Sequence, residues 1–311
     1  MKQAAIIPPA LRPGDTIGIT CPAGYLPSGR TADAVATLQS WGFKAVLGQT
    51  VGTGHHYFSG TDAQRLADLQ QMLDNPDIRC ILMGRGGYGL SRIIDDIDFA
   101  HFRKHPKWIC GFSDITVLHS HIAANFGIAT LHGAMCGAFA DGQLASTNSL
   151  RQALTGQPIS YPLLAPNTYN RPGEATGKLV GGNLAILAHL TGSRSQVATE
   201  GRLLFIEDVG EYWYNIDRMM LQLKRSGQLN GLAGLICGGF SEMKDTVRPL
   251  GIDIHQLIMD KVANFNYPVC FDFPAGHIES NFCLPLGEQH ILSVGIDAVK
   301  LAKCKEEGAG A

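Results

Sequence analysis

A chain of 311 residues, 45% hydrophobic and 17% charged, has the composition of a globular protein of about two domains, which excludes a disordered chain. Its formal net charge is −2 and it has no long basic run. Nucleic acid is therefore excluded as the main partner, because phosphate binding needs a concentrated cationic face. No segment is long and apolar enough to span a bilayer, and the N-terminus lacks the apolar stretch of a signal peptide. We therefore expect a cytoplasmic protein without a membrane partner.

The first half of the chain alternates apolar strand patterns with amphipathic helix patterns. Strands are predicted at 15–21, 44–48, 78–84 and 107–112. Helices are predicted at 31–41, 61–75 and 114–127, with Thr61 or Asp62 as the N-cap of the second, and a further amphipathic stretch follows the sequence RGGYG. This alternation predicts βαβ units and a mostly parallel sheet, and the continuous apolar strands indicate that both faces of the sheet are covered.

A change in composition separates this half from the rest. Between Gln157 and Gly177 the chain is rich in Pro, Asn and Gly, so we place a linker at 161–178, an N-terminal domain at 1–160 and a C-terminal domain at 179–311. The second half repeats the α/β pattern. Its predicted helices are 183–192, 214–227 and 253–265, and its predicted strands are 202–209, 231–240, 268–276, 290–297 and 298–302.

Ser113 lies where a buried strand runs directly into a helix, within the sequence GFSDITVLH. A serine on such a sharp turn matches the nucleophile elbow, in which the hydroxyl stands above the sheet and the following N–H groups receive an oxyanion. The match is partial, since Ile115 occupies the place of the second glycine in G-x-S-x-G. The alternative is that Ser113 is a helix N-cap, because Ser-Asp before an apolar run caps helices well.

The sequence GRGGYG at 84–89 also joins a strand to a helical stretch. Consecutive glycine N–H groups there could face an anion, although the spacing matches neither a dinucleotide fingerprint nor a phosphate loop. Arg85 within it could bind a carboxylate bidentately. A tight turn with a solvated arginine is the alternative.

Two further candidates follow apolar strands of the second half. Glu207 ends the strand 202–209, and His277 lies in a Pro/Gly loop after the strand 268–276. Loops at strand ends build sites in α/β sheets, so the two could serve as an orienting acid and a base. The alternatives are a surface ion pair for Glu207 and an ordinary loop histidine for His277. The chain order Ser, Glu, His is that of the α/β hydrolases.

No metal or cofactor is indicated. The eight cysteines contain no CxxC pair, the paired histidines lack ligand spacing, and HEXXH is absent. Small buried thiols explain the cysteines better than disulfides do.

The chain resembles the LD-carboxypeptidase family of serine peptidases, also called muramoyltetrapeptide carboxypeptidases. The resemblance is carried by four motifs in this order: GRGGYG, GFSDITVLH, FIEDVGE-x₅-DRM and PAGH. The resemblance covers nearly the whole chain. It implies a Rossmann-like parallel-sheet N-terminal domain and a smaller α/β C-terminal domain, with the active site in the cleft between them. It also implies a homodimer and no metal.

The resemblance further implies the roles of the site residues. Ser113 would be the nucleophile, His277 the base and Glu207 the triad acid. The N–H of Asp114, with that of Gly86 or Gly87, would hold the oxyanion, and Arg85 would contact a substrate carboxylate. The expected reaction removes D-Ala from diaminopimelate in a murein tetrapeptide. Two alternatives remain: a related enzyme that cleaves an acylated nucleotide antibiotic of the microcin C kind, and a non-catalytic two-domain peptide-binding protein.

Overall fold

The computed structural model describes residues 5–162, 164–165 and 167–304, and it folds into two α/β units, each with its own sheet. The first sheet contains the parallel strands β1 (Thr16–Thr20), β2 (Lys44–Leu47), β3 (Ile78–Met83), β4 (Trp108–Gly111) and β5 (Thr130–His132), in the order β5-β4-β3-β1-β2. The helices of this unit are α1 (Ala32–Ser40), α2 (Asp62–Asp74), α3 (Ala100–Lys104), α4 (Thr116–Asn125), α5 (Cys136–Ala140) and α6 (Leu144–Leu154).

Side chains of the first sheet alternate between two apolar cores. In β3, Cys80 and Leu82 pack into one core, while Ile81 and Met83 pack into the other. Because successive side chains of a strand point to opposite faces, a strand buried on both faces is apolar throughout. The predicted coverage of both faces is confirmed.

The second unit contains β6 (Gly173–Asn183), α7 (Leu184–His189), β7 (Arg202–Val209), α8 (Trp213–Arg225), β8 (Gly234–Ser241), α9 (Ile254–Val262), β9 (Val269–Cys270), β11 (Gln289–Val294) and β12 (Val299–Lys303). Its strand order is β12-β11-β6-β7-β8-β9, with β6 to β9 parallel and β11 and β12 antiparallel. The two-domain α/β fold expected from the sequence is confirmed.

One strand crosses between the units. β10 (Leu284–Leu286) comes late in the chain, yet it pairs antiparallel with β5 and so completes the first sheet. Two serines of α6 hold the segment before β10 in place. The hydroxyl oxygen of Ser146 accepts a hydrogen bond from the backbone N–H of Asn281, and that of Ser149 accepts one from Cys283, both at 2.9 Å. The C-terminal segment therefore fastens the two units together.

Three local predictions differ from the structure. The amphipathic stretch after RGGYG forms two short 3₁₀ turns, Leu90–Arg92 and Ile94–Asp96, before α3. The predicted strand 268–276 is reduced to β9, because Asp272 adopts a left-handed φ of 58° that interrupts an extended chain.

The third difference concerns the predicted linker 161–178. β6 begins at Gly173 inside that range, because Gly173 pairs with the distant Val294 of β11. Leu163 and Pro166, also in the range, lie outside the described residues.

Other sequence expectations agree with the structure. Of the two N-cap candidates Thr61 and Asp62, Thr61 caps α2, and the structure shows that it does so in a capping box with Gln64. Seven of the eight cysteines are buried free thiols, and Cys304 is partly exposed. Among the described residues, no helix combines the length and apolarity needed to cross a membrane.

Candidate active site

Ser113 occupies a strained turn between β4 and α4. Its φ is 65°, a left-handed conformation that a residue with a side chain adopts at a cost of about 1–3 kcal/mol. The 3₁₀ turn Ser113–Ile115 leads into α4, and neither the turn nor the helix has a side-chain cap. The alternative in which Ser113 is only a helix N-cap therefore has no hydrogen bond to support it. Strain of this kind is typical of functional turns.

The glycine-rich loop after β3 packs directly against this serine. A Cβ atom built on Gly86 would lie 2.9 Å from Ser113 Cβ and 3.3 Å from Ser113 Oγ, so only a glycine allows this approach. Gly87, with a φ of 106°, continues the loop beside the hydroxyl group of Tyr57. The backbone of the loop therefore lies directly against the Ser113 side chain.

Asp114 fastens the glycine-rich loop to the serine turn. Its carboxylate is buried and accepts the backbone N–H of Leu90 at 2.9 Å. Burial raises the pKa of Asp114 to about 6. The side chain therefore has a structural function, while its backbone N–H follows the serine, as the oxyanion assignment requires.

Glu207 and His277 form a buried hydrogen-bonded pair. Glu207 lies near the end of β7 and is 0% exposed. Its Oε2 accepts two hydrogen bonds from His277, one from the ring Nδ1 at 2.7 Å and one from the backbone N–H at 3.2 Å. Burial of the ring disfavours its charged form, but the hydrogen bond and charge of Glu207 outweigh this and raise the pKa of His277 above its ordinary value. A carboxylate on Nδ1 leaves Nε2 free to accept a proton.

Three residues that the sequence analysis missed fix the His277 loop. Gly276 donates its N–H to Oδ1 of Asn281 at 2.8 Å, and Ser241 donates its hydroxyl to the carbonyl of His277 at 2.7 Å. A Cβ atom on Gly276 would lie 2.8 Å from Glu207 Cβ. Asn281 stands in the sequence FPAGHIESN, and its position four residues after the histidine was the available signal.

His277 and Phe112 both line one cavity of about 670 Å³. The rings of His277 and Phe112 lie 4.8 Å apart, and Phe112 directly precedes the serine. Within the described residues no hydrogen bond joins Ser113 to His277; such contacts are often long without substrate and shorten in the complex. The cavity is lined by residues of both units.

Charged side chains surround the same cavity. Arg85 is exposed on its wall, and its Nη1 donates to the carbonyl of Tyr25 at 2.8 Å. Glu242, which the sequence analysis did not single out, lines the opposite side with a left-handed φ of 54°. Arg30 pairs with Asp141 at 3.1 Å on the rim. No group of three His, Cys, Asp or Glu side chains among the described residues is arranged to hold a metal ion.

Comparisons with known proteins agree on one family. Residues 17–133 match the model of the LD-carboxypeptidase N-terminal domain, and residues 176–292 match that of the LD-carboxypeptidase C-terminal domain. The chain is 34% identical to the probable murein peptide carboxypeptidase of Bacillus subtilis over 97% of this chain and 96% of the relative. It is 27% identical to the microcin C7 self-immunity protein MccF of Escherichia coli, over 88% of this chain and 89% of that protein.

A solved structure has the same fold. The muramoyltetrapeptide carboxypeptidase from Oxalobacter formigenes superposes with a TM-score of 0.84 at 28% identity, covering 93% of this chain and 99% of that one.

Proposed function

The chain belongs to the LD-carboxypeptidase family, and we propose that it is a serine peptidase that removes the terminal D-Ala from murein tetrapeptides during peptidoglycan recycling. The observation that carries the proposal is the buried Glu207–His277 pair, whose histidine lines the same cavity as Phe112, the residue directly before the strained Ser113 turn. Nucleophile, base and orienting acid are the set that acyl transfer needs.

In the proposed mechanism His277 Nε2 takes the proton of the Ser113 hydroxyl as its oxygen attacks the carbonyl on the L-centre of diaminopimelate. Glu207 holds the ring in the required tautomer and stabilises the imidazolium. The N–H groups of Asp114 and of Gly86 or Gly87 stabilise the oxyanion; losing one such donor typically costs about 10²–10³ in turnover. His277 then protonates the amine of the leaving D-Ala, and water hydrolyses the acyl-enzyme by the reverse proton path.

Arg85 supports the carboxypeptidase assignment. A carboxypeptidase must bind a free carboxylate beside the scissile bond, and a planar guanidinium binds it bidentately. Arg85 has no acidic partner among the described residues, and the single hydrogen bond to Tyr25 leaves other N–H donors for a ligand. We propose that it fixes the carboxylate of the terminal residue.

The test is mass spectrometry of three peptides incubated with the protein: murein tetrapeptide, murein pentapeptide, and the tetrapeptide ending in L-Ala. We expect alanine release from the first and little from the others, because a fixed carboxylate makes the reaction sensitive to the chirality of both residues at the bond. Equal release from all three would contradict the specificity. Release from none would favour the acylated-nucleotide or peptide-binding alternatives.

The cytoplasmic location and the homodimer expected from the sequence remain part of this proposal. Light scattering after size-exclusion chromatography tests the dimer, and fractionation of cells that express the protein tests the location.

A further inference from the structure

A second large cavity lies between the two units, away from the candidate active site. Its volume is about 800 Å³, and its walls come from α3, the end of α4, the middle of β6 and the beginnings of β7 and β11. None of the residues of the proposed triad lines it. Arg202 is the first residue of β7 and Glu207 the sixth, so about 16 Å of strand separates this cavity from the triad acid.

The cavity carries an excess of positive charge. Arg103 and Lys104 line it from the N-terminal unit, and Lys178 and Arg202 line it from the C-terminal unit. Glu200 is the one acid among the lining residues. Because the whole chain has a net charge of −2, this concentration of cations is local.

The two cations of the C-terminal unit lie side by side on neighbouring strands. Lys178 and Arg202 are direct partners on the parallel strands β6 and β7, and both are half-buried. Like charges on opposed positions destabilise a sheet. Burial, with the charge of Arg202, lowers the pKa of Lys178, and burial lowers the pKa of Arg202. Arg202 forms no ion pair within the described part of the chain.

The N-terminal wall holds a cation in a defined orientation. The guanidinium of Arg103 lies 5.4 Å from the ring centroid of Phe126, which also lines the cavity. Cations at the C-terminal end of a helix such as α3 are ordinary, since they interact with free carbonyl groups. Lys178 lies in the middle of β6 and Arg202 at the beginning of β7, so neither is a cation at the end of a helix.

We propose that this cavity binds a small anion with two or more negative charges, of the phosphate or polycarboxylate class, between Arg103 of one unit and Lys178 and Arg202 of the other. Its volume falls in the range of about 300–1,000 Å³ that is usual for small-ligand sites. Arginine side chains bind phosphate and carboxylate groups bidentately. Such a ligand would connect the two units at the edge opposite the active site.

The experiment is isothermal titration calorimetry of the full chain with inorganic pyrophosphate and, separately, with citrate, at constant ionic strength. We expect saturable binding of one anion per chain and a higher melting temperature in its presence. Binding of pyrophosphate alone identifies a phosphate site, and binding of both identifies a general polyanion site; either supports the proposal.

Matched variants locate the binding. Arg202→Gln and Arg103→Gln should each weaken binding about tenfold, the effect of losing one charge-assisted contact. Arg194→Gln removes an exposed cation outside the cavity and should leave binding unchanged. Arg202→Lys, which keeps the charge, should bind better than Arg202→Gln, and the melting temperature of each free variant checks its folding.

Three results would overturn the proposal. They are the absence of saturable binding, an equal loss of affinity in Arg194→Gln, and competition between pyrophosphate and the tetrapeptide on the Ser113→Ala variant. The last would place the anion in the catalytic cleft.

Discussion

Ser113 combines a left-handed backbone with a position beside the glycine-rich loop, and His277 combines burial with a carboxylate partner. Each feature costs stability or restricts the sequence, and each fits the acyl transfer proposed above. A residue that only caps a helix needs no left-handed φ, and a histidine that only fills a loop needs no buried carboxylate on Nδ1.

Removing the nucleophile or the base should have nearly equal effects. We expect Ser113→Ala and His277→Ala each to lower tetrapeptide turnover by on the order of 10⁴ or more, and Glu207→Ala to lower it less, because a triad acts as one unit. Turnover of tetrapeptide by purified variants measures this, with circular dichroism as the control for folding. More than a few per cent of activity in Ser113→Ala would refute the assignment.

The raised pKa of His277 sets the acid limb of the pH profile. The ring accepts a proton only when neutral, so kcat/KM should fall as the pH decreases through a pKa above the ordinary histidine value. In Glu207→Gln the stabilising charge is lost, so the residual activity should have its acid limb at lower pH. Profiles of both proteins that superpose on the acid side would show that Glu207 does not control the base.

At the scale of elements, the glycine-rich loop is placed by three neighbours. Gly86 contacts the serine turn, and the carboxylate of Asp114 accepts a hydrogen bond from the N–H of Leu90. The guanidinium of Arg65 in α2 donates hydrogen bonds to the carbonyl of Gly89, at 3.0 Å, and to that of Pro22. Arg65 is 0% exposed. The sequence analysis missed it because an arginine in an amphipathic helix usually faces solvent.

A methyl group on Gly86 should impair turnover more than folding. In Gly86→Ala the new Cβ meets Ser113 Cβ at 2.9 Å and the carbonyl of Phe112 at 3.2 Å, so loop and nucleophile must separate. A misplacement of about 1 Å can cost 10²-fold in rate. Gly29→Ala is the control, since its Cβ would meet nothing within 4 Å. Steady-state kinetics compares the two, and equal kcat values would contradict the proposed contact.

Arg65 and Arg92 offer a matched pair, because both bind Asp62, one buried and one exposed. Arg65→Met leaves the buried carbonyl groups of Pro22 and Gly89 without this donor, and we expect a loss of about 1–3 kcal/mol in the free energy of unfolding for each of them. Arg92→Met should change it far less, because exposed ion pairs contribute little. Urea denaturation of both variants measures the difference, and similar losses would contradict the structural role of Arg65.

At the scale of the whole molecule, the two units depend on each other. β10 supplies an edge strand to the first sheet, and α6 holds the segment that leads into it. The N-terminal unit is therefore incomplete without residues from the C-terminal part of the chain.

A fragment of residues 1–160 should consequently fail to fold as a stable monomer. Without β10 it exposes the backbone edge of β5, and it lacks Cys283, which packs into one core of the first sheet. Calorimetry of the full chain should show one cooperative transition, and the fragment should show none or aggregate. A soluble fragment with its own sharp transition would show that the predicted boundary at 160 marks an independent unit.

The sequence by itself determined the elements and the order of the motifs. Alternating and continuous apolar patterns predicted β1, β3, β4 and β7 closely, because burial imposes a local period on the chain. Local chemistry also pointed to the Ser113 turn and to Thr61 or Asp62 as the N-cap of α2. The family resemblance rested on these motifs, and the comparisons confirm the family.

Only the tertiary structure decided which distant residues meet. The bond between Glu207 and His277, the crossing of β10 to β5, the extension of β6 into the predicted linker and the burial of Arg65 all join residues far apart in sequence. A local pattern records whether a side chain is buried, but not against which partner. The pairing depends on the packing of both sheets. That packing forms the hydrogen bond between Glu207 and His277, and it leaves the candidate active-site cavity at one end of β7 and the cationic cavity at the other.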